Sequence, residues 1–182
     1  HSTSSAASDV YKRQEYERVN VKGTEALIKI ASEKNVQHFI YLSSIKVNGD
    51  ETFNEGFTEA NEVNPRGVYA ETKFQAEQKV IQLKNSGVKV SIVRPPLVYG
   101  KGVKANMAAL VKMVKSLPLI PLGAIDNRRS FISVRNLSDF VQTLLFTEPL
   151  SKYDSALFLL SDKEPVSTCL LYTSPSPRDG IG

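Results

Sequence analysis

Three polar residues in this chain have the types and the spacing to move a proton on and off an alcohol. Tyr69 and Lys73 are four residues apart, which on a helix is about one turn, so the phenol and the ammonium would share a face. Ser44 follows shortly after a continuous apolar run from Phe39 to Leu42. Such a run is typical of a buried parallel strand, and open α/β sheets bind ligands at the carboxyl ends of their strands. The spacing therefore predicts that the three groups meet at one edge of a sheet.

The expected roles of these groups follow from their chemistry. A free phenol has a pKa near 10, roughly three units too high for proton transfer near neutrality. We expect Lys73 to stabilise the Tyr69 phenolate by its charge, and Ser44 to hydrogen-bond and orient a substrate hydroxyl. Taken singly, Tyr69 also fits a half-buried helix tyrosine, and Lys73 fits a solvated partner of Glu77. Their combination with Ser44 favours the acid/base interpretation.

The elements that must position these residues alternate between helix and strand. Apolar spacing predicts a first helix that ends near Asn35 and has a buried stripe of Tyr16, Val19, Gly23, Leu27, Ile30 and Ala31. The following pattern predicts, in order, a strand over Val36–Ser44, a loop over Ile45–Asn64, a helix over Val68–Asn85 that ends at Gly87, and a strand over Val88–Val93. Short connections between such elements indicate a parallel sheet with crossover helices.

The second half of the chain has a different character. The change comes after Gly100, and Pro118 and Pro121 break the chain after the first predicted element. The predicted elements are a helix over Val103–Ser116, a strand over Arg129–Val134, a helix around Leu137–Leu145 and a strand over Ala156–Leu160.

Both ends of the chain resemble translated sequencing-adaptor DNA. The resemblance covers residues 4–14 and 169–179. We therefore expect residues 1–14 and 169–182 to be adaptor-derived and disordered, and exclude them from the interpretation of the fold. The remaining insert, Glu15 to Thr168, is expected to be cut from a longer sequence on both sides.

Composition excludes several kinds of site within that insert. The only cysteine is Cys169, and the two histidines are His1 and His38, so no disulfide, thiolate metal site or cysteine nucleophile is expected, and no metal. Cysteine-free sequence fits a reducing cytoplasm. The net charge of +4 comes from interspersed residues, which is weak evidence for nucleic-acid binding. No apolar stretch approaches the ~20 residues of a membrane span, so neither nucleic acid nor membrane is an expected partner.

Five ordered blocks together resemble the extended short-chain dehydrogenase/reductase family, in particular its NAD-dependent nucleotide-sugar epimerase and dehydratase branch. The blocks are Val19–Thr24, Phe39–Gly49, the Tyr69 and Lys73 pair, Arg94–Gly100, and Arg129–Val134 with Asn136 and Leu137. A lone tyrosine and lysine at this spacing is a weak signal, whereas five blocks in order are a strong one. Asn48 departs from the pattern, because the family usually has a tyrosine there.

The resemblance implies a Rossmann-like, doubly wound parallel sheet of the α/β class. It implies that the N-terminal βαβ units with the glycine-rich turn are missing here, and that the closing helices are missing too. Residues 15–100 would form the C-terminal half of the NAD-binding domain. Residues 101–168 would form part of a substrate-binding region with returning sheet elements. The isolated fragment is expected to be inactive.

The resemblance also implies roles for single residues. Ser44, Tyr69 and Lys73 would be catalytic, and these three with Asn20 and Pro96 would bind NAD. Asn20 would lie at the N-terminus of its helix, where it also fits a surface or capping residue, and Pro96 also fits a plain strand terminator. Ser44, Asn106 and Arg129 would bind a nucleotide-diphosphate sugar, although the last two also fit ordinary polar loop residues. Family members are often homodimers, which is the expectation for the full-length protein.

Three reactions remain open at this stage. Family dehydratases carry an acidic pair directly after the site hydroxyl, where this chain has Ile45 and Lys46, so dehydration is disfavoured. Transient oxidation at C4 of a UDP-sugar by NAD, with Tyr69 as acid/base, is the favoured chemistry. The alternatives are an NAD(P)-dependent dehydrogenase or reductase of a steroid-like or flavonoid-like alcohol, and a dinucleotide-binding protein without catalytic activity.

Overall fold

The computed structural model describes residues 10–52, 55–101, 128–146, 155–162 and 165–167. The predicted helix over Val103–Ser116 lies outside these residues. The chain divides into two compact units, one within His1–Pro95 and Phe140–Leu160, the other within Pro96–Asp139 and Ser161–Gly182. The predicted functional boundary at residue 100 stays a prediction.

Three helices and seven strands are used below, all within the described residues. The helices are α1 (Gly23–Glu33), α2 (Gly67–Gln82) and α3 (Val134–Phe146). The strands are β1 (His38–Leu42), β2 (Lys89–Arg94), β3 (Leu97–Tyr99), β4 (Arg128–Arg129), β5 (Phe131–Ser133), β6 (Ser155–Leu159) and β7 (Val166–Ser167).

The first unit is built on a parallel sheet in the order β1-β2-β6. Phe39 lies opposite Val90, and Val90 lies opposite Ser155 on the other side of β2. This confirms the parallel α/β arrangement predicted from the alternating elements. Parallel pairing places the carboxyl ends of these strands at one edge of the sheet.

Helices cover both faces of this sheet. On one face, Ala31 of α1 and Val80 of α2 pack in a cluster with Val90 and Ile92 of β2 and other apolar residues, Leu157 among them. Phe158 is the next residue of β6 and points to the opposite face. Its ring meets that of Phe140 of α3 with centroids 5.3 Å apart. Burial from two sides explains the continuous apolar pattern of the central strand β2, whereas β1 is only partly buried and its Leu42 is exposed.

The first helix begins earlier in the chain than the sequence predicted. Residues 10–16 are α-helical and run through a π-helical segment, Glu17–Lys22, into α1. The prediction that residues 10–14 are disordered was therefore wrong. They extend a helix that is already formed, and each added residue gains a hydrogen bond without a new nucleation step. The helix ends as predicted near Asn35, which adopts a left-handed φ of 51°.

The buried stripe predicted for this helix was only partly right. Val19, Leu27 and Ile30 of that stripe are 53–57% exposed, whereas its Ala31 is buried, together with Thr24, which lies outside it. The sequence carries two stripes with the same period, and periodicity alone does not tell which one faces the sheet. An apolar stripe is therefore left on the outer face of the helix.

The second helix agrees closely with its prediction. It runs from Gly67 to Gln82 and continues as a 3-10 turn over Leu83–Ser86. Gly87 ends it with a φ of 77°, a conformation that glycine adopts without steric cost. None of the helices formed by the described residues is long and apolar enough to cross a bilayer.

The second unit contains two small sheets. β3 pairs with β5 in parallel, and β4 pairs with β7 antiparallel. The strand predicted over Arg129–Val134 is in fact divided, because the chain leaves one pairing after Arg129 and enters another at Phe131. β3 was not predicted, since it has only three residues and directly follows two prolines.

His38 makes the stability of the first unit depend on pH. Burial, and then the charge of Lys89, lower its pKa from 6.5, partly offset by a hydrogen bond with the Leu144 backbone. The unfolded chain therefore binds a proton at higher pH than the folded chain does. The contribution of His38 to the free energy of unfolding is complete above the unfolded pKa and is lost as the pH falls through the folded pKa.

We expect the urea concentration at the unfolding midpoint to decrease as the pH is lowered from about 7.5 to about 5.5, because the unfolded chain gains protons over that range. His38→Gln cannot titrate, and should show a smaller decrease over the same range. An identical decrease in both proteins would contradict the role of His38.

Candidate active site

Ser44 lies just beyond the end of β1, at the carboxyl edge of the parallel sheet. Its backbone is extended, and its side chain caps the 3-10 turn Ile45–Val47 by accepting a hydrogen bond from the Lys46 backbone N–H at 3.2 Å. The Ile45 N–H donates to the Pro95 carbonyl, which follows β2, at 3.0 Å. The position predicted for Ser44 from the apolar run is the one that the structure gives.

Tyr69 is the third residue of α2, and its phenol lies near enough to the Ser44 side chain to interact with it. Burial raises the pKa of Tyr69 above its ordinary value of 10, and a hydrogen bond from Ser44 partly opposes this by lowering it. Tyr16 adds a smaller upward contribution, and its ring lies edge-on to that of Tyr69 with centroids 5.7 Å apart. Tyr69 is 40% exposed, so its phenol can be reached from outside.

Lys73 lies one turn further along α2, and its ammonium is held by β1. Its Nζ donates to the Leu42 carbonyl at 2.8 Å and to the Tyr41 Oη at 3.3 Å. The same Nζ lies 4.7 Å from the centroid of the Tyr41 ring, within the range of a cation–π contact. Burial raises the pKa of Tyr41 to about 12, so the Tyr41 hydroxyl remains a neutral partner for the ammonium.

The electrostatic effect predicted for Lys73 is not seen in this structure. We expected its charge to lower the pKa of Tyr69, but that pKa is raised, and burial is the largest cause. Burial also lowers the pKa of Lys73, partly offset by Glu77. The hydrogen bonds of the ammonium go to Leu42 and Tyr41. A further positive charge near Tyr69 would be needed for its phenolate to form near neutral pH.

Asn20 lies close to α2 but not at the end of a helix. It belongs to the π-helical segment Glu17–Lys22, so the prediction that it starts its helix was wrong, because that helix extends upstream. Its Nδ2 donates to the Thr72 Oγ1 at 3.0 Å, and that oxygen donates to the Tyr69 carbonyl at 3.0 Å. Asn20 therefore braces the turn of α2 that carries Tyr69 and Lys73.

The other predicted site residues belong to the second unit or lie outside the described residues. Pro96 is half-buried between β2 and β3 and falls in the second unit. Arg129 is exposed in β4, opposite Val166, also in the second unit. Asn106 lies outside the described residues. Their predicted contacts with cofactor and substrate stay predictions.

Sequence reasoning missed a buried polar cluster, which we call the Arg94 cluster, formed by Glu77, Arg94 and Asn48. Arg94 donates from Nε to the Glu77 Oε1 and from Nη1 to the Asn48 Oδ1, both at 2.9 Å, and from Nη2 to the Glu77 Oε2. The side chains of the ion pair are 4% and 1% exposed. The signal available was Arg94 at the end of an apolar strand, where a charge needs a partner. Glu77 was considered only as a partner for Lys73.

A second polar cluster lies in the second unit around Asp162. Its carboxylate accepts hydrogen bonds from the Tyr99 hydroxyl at 2.7 Å, the Ser133 N–H at 3.1 Å and the Asn136 Nδ2 at 2.7 Å. These bonds tie Asp162 to the start of α3 and lower its pKa, with Asn136 as the largest cause. The described residues contain no group of three or more histidine, cysteine or acidic side chains that could hold a metal ion.

Comparison with known proteins gives a consistent result. A sequence model of the NAD dependent epimerase/dehydratase family matches residues 2–151. The chain is 43% identical over 158 residues to a UDP-glucose 4-epimerase of Vibrio cholerae, with 84% of this chain and 47% of that protein covered.

Solved structures resemble the chain at the level of fold. DesIV, a dTDP-glucose 4,6-dehydratase from Streptomyces venezuelae with NAD and TYD bound, gives a TM-score of 0.73 at 18% identity, covering 91% of this chain and 51% of that one. A UDP-glucuronic acid 4-epimerase from Bacillus cereus in complex with NAD gives 0.69 at 21% identity, with coverages of 82% and 48%. The chain thus spans about half the length of the relatives it matches.

Proposed function

Since this chain belongs to the NAD dependent epimerase/dehydratase family, we propose that the protein inverts C4 of a UDP-sugar with Tyr69 as acid/base. The membership predicted from the five sequence blocks is confirmed. The observation that carries the proposal is that Ser44 lies at the carboxyl edge of the sheet, where the helix that bears Tyr69 is held to the same strand by the bond of Lys73 to the Leu42 carbonyl. The interaction of Ser44 with Tyr69 agrees with this. The similarity to a UDP-glucose 4-epimerase supports this choice of substrate class.

NAD is the cofactor that we propose, and the donors present fit its sugar. An ammonium has three N–H donors. Lys73 uses two of them on Leu42 and Tyr41, and the third could bind a ribose hydroxyl. Tyr69 and Ser44 lie beside it, and Asn20 and Pro96 complete the proposed contacts. When bound, NAD would supply reversible hydride transfer at the sugar carbon. Its oxidised ring would also supply the positive charge that Tyr69 needs.

The residues of this chain would handle the proton and the orientation of the sugar. The Ser44 hydroxyl would hydrogen-bond the C4 hydroxyl of the sugar and turn its proton toward Tyr69. The Tyr69 phenolate would take that proton as the C–H bond breaks. The phenol would return it after the oxidised sugar has rotated to present its other face. The interaction with Ser44 lowers the pKa of Tyr69, so the same hydroxyl would stabilise the phenolate before it takes the proton and after it has returned it.

The loop after Ser44 favours epimerisation over dehydration. Elimination of water needs a carboxylic acid beside the site hydroxyl, and Ile45 and Lys46 stand there instead. The Lys46 Nζ donates to the Asp50 Oδ1 at 2.7 Å, which leaves it poorly suited as an acid for the sugar. We propose that Asn106 and Arg129 bind the diphosphate, for which guanidinium geometry is well suited.

The outer face of the first helix supports a homodimer. Val19, Leu27 and Ile30 are more than half exposed, and association with a second copy would bury them.

We also propose that the protein is located in the cytoplasm. The sequence between Glu15 and Thr168 contains no cysteine, which fits a reducing compartment. Neither nucleic acid nor membrane is part of the proposal.

The proposed function predicts epimerisation without net reduction of NAD. The whole protein should convert UDP-glucose into UDP-galactose, because the hydride is returned in every turnover. The sugar ratio can be followed by chromatography, with absorbance of NADH recorded in parallel. Stoichiometric NADH with a UDP-sugar or with a steroid-like alcohol would favour the dehydrogenase alternative. Binding of NAD with no turnover of any of these substrates would favour the non-catalytic alternative.

A further inference from the structure

The Arg94 cluster joins the two segments that carry Ser44 and Tyr69. Glu77 lies one turn after Lys73 on α2, and Asn48 lies four residues after Ser44. Arg94 ends β2 and holds both, the carboxylate with two N–H groups and the Asn48 amide oxygen with a third. A single rigid guanidinium thus sets the distance between the loop that bears the serine and the helix that bears the tyrosine.

The orientation of the Asn48 amide shows which of its atoms is used. Arg94 can only donate, so the Asn48 Oδ1 must face it. The Nδ2 is then buried with no hydrogen-bond partner, one of two such side-chain atoms in the described part of the chain. A buried amide with an unpaired donor is unfavourable for stability, so packing alone does not explain an asparagine that is 2% exposed.

The backbone around Asn48 gives this contact a route to Ser44. The Asn48 N–H donates to the Ile45 carbonyl at 2.9 Å, and the Val47 N–H donates to the Ser44 carbonyl at 3.1 Å. The Asn48 carbonyl in turn accepts from the Asn64 N–H at 3.2 Å, three residues before α2 begins. A shift of Asn48 would therefore move the turn that Ser44 caps.

We propose that Asn48 is a positioning residue that, through Arg94 and Glu77, fixes Ser44 against the Tyr69 phenol. The inference rests on the proposed function for its effect on turnover, but not for its effect on the loop. A loss of the Asn48 to Arg94 hydrogen bond should loosen residues 45–48 and misplace Ser44, while the sheet beneath stays intact.

The test compares Asn48→Ala with two other variants of the whole protein. Asn48→Asp keeps an acceptor for Arg94 and has the same shape. Asn61→Ala is a matched control, because Asn61 is an exposed asparagine of the same loop whose side chain accepts hydrogen bonds from the Thr58 N–H and hydroxyl. Hydrogen exchange of the amides of residues 45–48 measures the positioning, and kcat and KM for the UDP-sugar measure its consequence.

We expect Asn48→Ala to raise exchange at residues 45–48 by about tenfold, with exchange in β2 unchanged. Its kcat should fall on the order of 10- to 100-fold with KM little changed, because a small misplacement of a reacting group slows the chemical step. Asn48→Asp should recover most of both losses, and Asn61→Ala should resemble the wild type in both.

Two results would overturn the inference. Exchange at residues 45–48 that Asn48→Ala leaves unchanged would show that the contact does not hold the loop. Faster exchange with an unchanged kcat would show that the loop does not position Ser44 for the reaction. If the wild type itself turns over no UDP-sugar, the proposed function fails separately, and the exchange measurement alone then decides whether Asn48 fixes the loop.

Discussion

Replacing Tyr69 with phenylalanine is expected to reduce kcat by a factor on the order of 10² to 10⁴, the usual contribution of a positioned acid/base. The substitution removes the oxygen that Ser44 contacts but keeps the ring, so the edge-on packing against Tyr16 can persist. Binding of NAD should change little, because Lys73 is held by Leu42 and Tyr41 and not by Tyr69. Steady-state epimerisation and NAD titration of the whole protein would measure the two effects.

Tyr99→Phe provides the matched control for this experiment. Tyr99 is 39% exposed and Tyr69 40%, and the Tyr99 hydroxyl is bonded to Asp162. Its loss should leave kcat close to that of the wild type. A Tyr69→Phe protein that keeps wild-type kcat would refute the acid/base assignment, and one that also loses NAD would point to a structural role for the phenol.

Replacing Glu77 with alanine is expected to lower the free energy of unfolding by about 3–5 kcal/mol, because it leaves a buried guanidinium without its counter-ion. The Glu77 and Arg94 side chains are 1% and 4% exposed, so water cannot replace the lost carboxylate. Equilibrium unfolding in urea, read as a shift of the midpoint at constant slope, would measure the loss.

Two further variants separate burial from charge in this measurement. Glu25→Ala breaks the pair of Lys79 and Glu25, 3.1 Å apart but 45% exposed on both sides, and should cost no more than about 1 kcal/mol. Glu77→Gln keeps an acceptor for Arg94 and should lie between the two. If Glu77→Ala unfolded no earlier than Glu25→Ala, the buried pair would not have the stabilising role assigned to it.

The central contact of the site could be predicted from the sequence because its determinants are local. The apolar run before Ser44 specifies a buried strand, and the spacing of Tyr69 and Lys73 specifies one face of a helix. The rule that ligands bind at the carboxyl ends of parallel strands then brings them together. The structure places Ser44 just beyond the end of β1 and Lys73 against the same strand, in agreement with that reasoning.

The partners of Lys73 and Arg94 could not be predicted in the same way, because they come from distant parts of the chain. The Leu42 carbonyl and the Glu77 carboxylate become partners only when α2 packs on the sheet. The first helix failed for a different reason: two stripes share one period, and only packing decides which is buried. β3 has only three residues, which is too few for the alternation that identifies a strand in a sequence.

The anchor of Lys73 has a consequence for how such a site can change during evolution. Its shortest hydrogen bond goes to the main chain of residue 42, whose leucine side chain is 44% exposed. A peptide oxygen is present whatever amino acid the codon specifies. Substitutions at position 42 can therefore accumulate without removing the acceptor, provided that the path of the backbone is kept. The position of the Lys73 ammonium therefore depends on the path of the backbone and not on which side chain residue 42 carries.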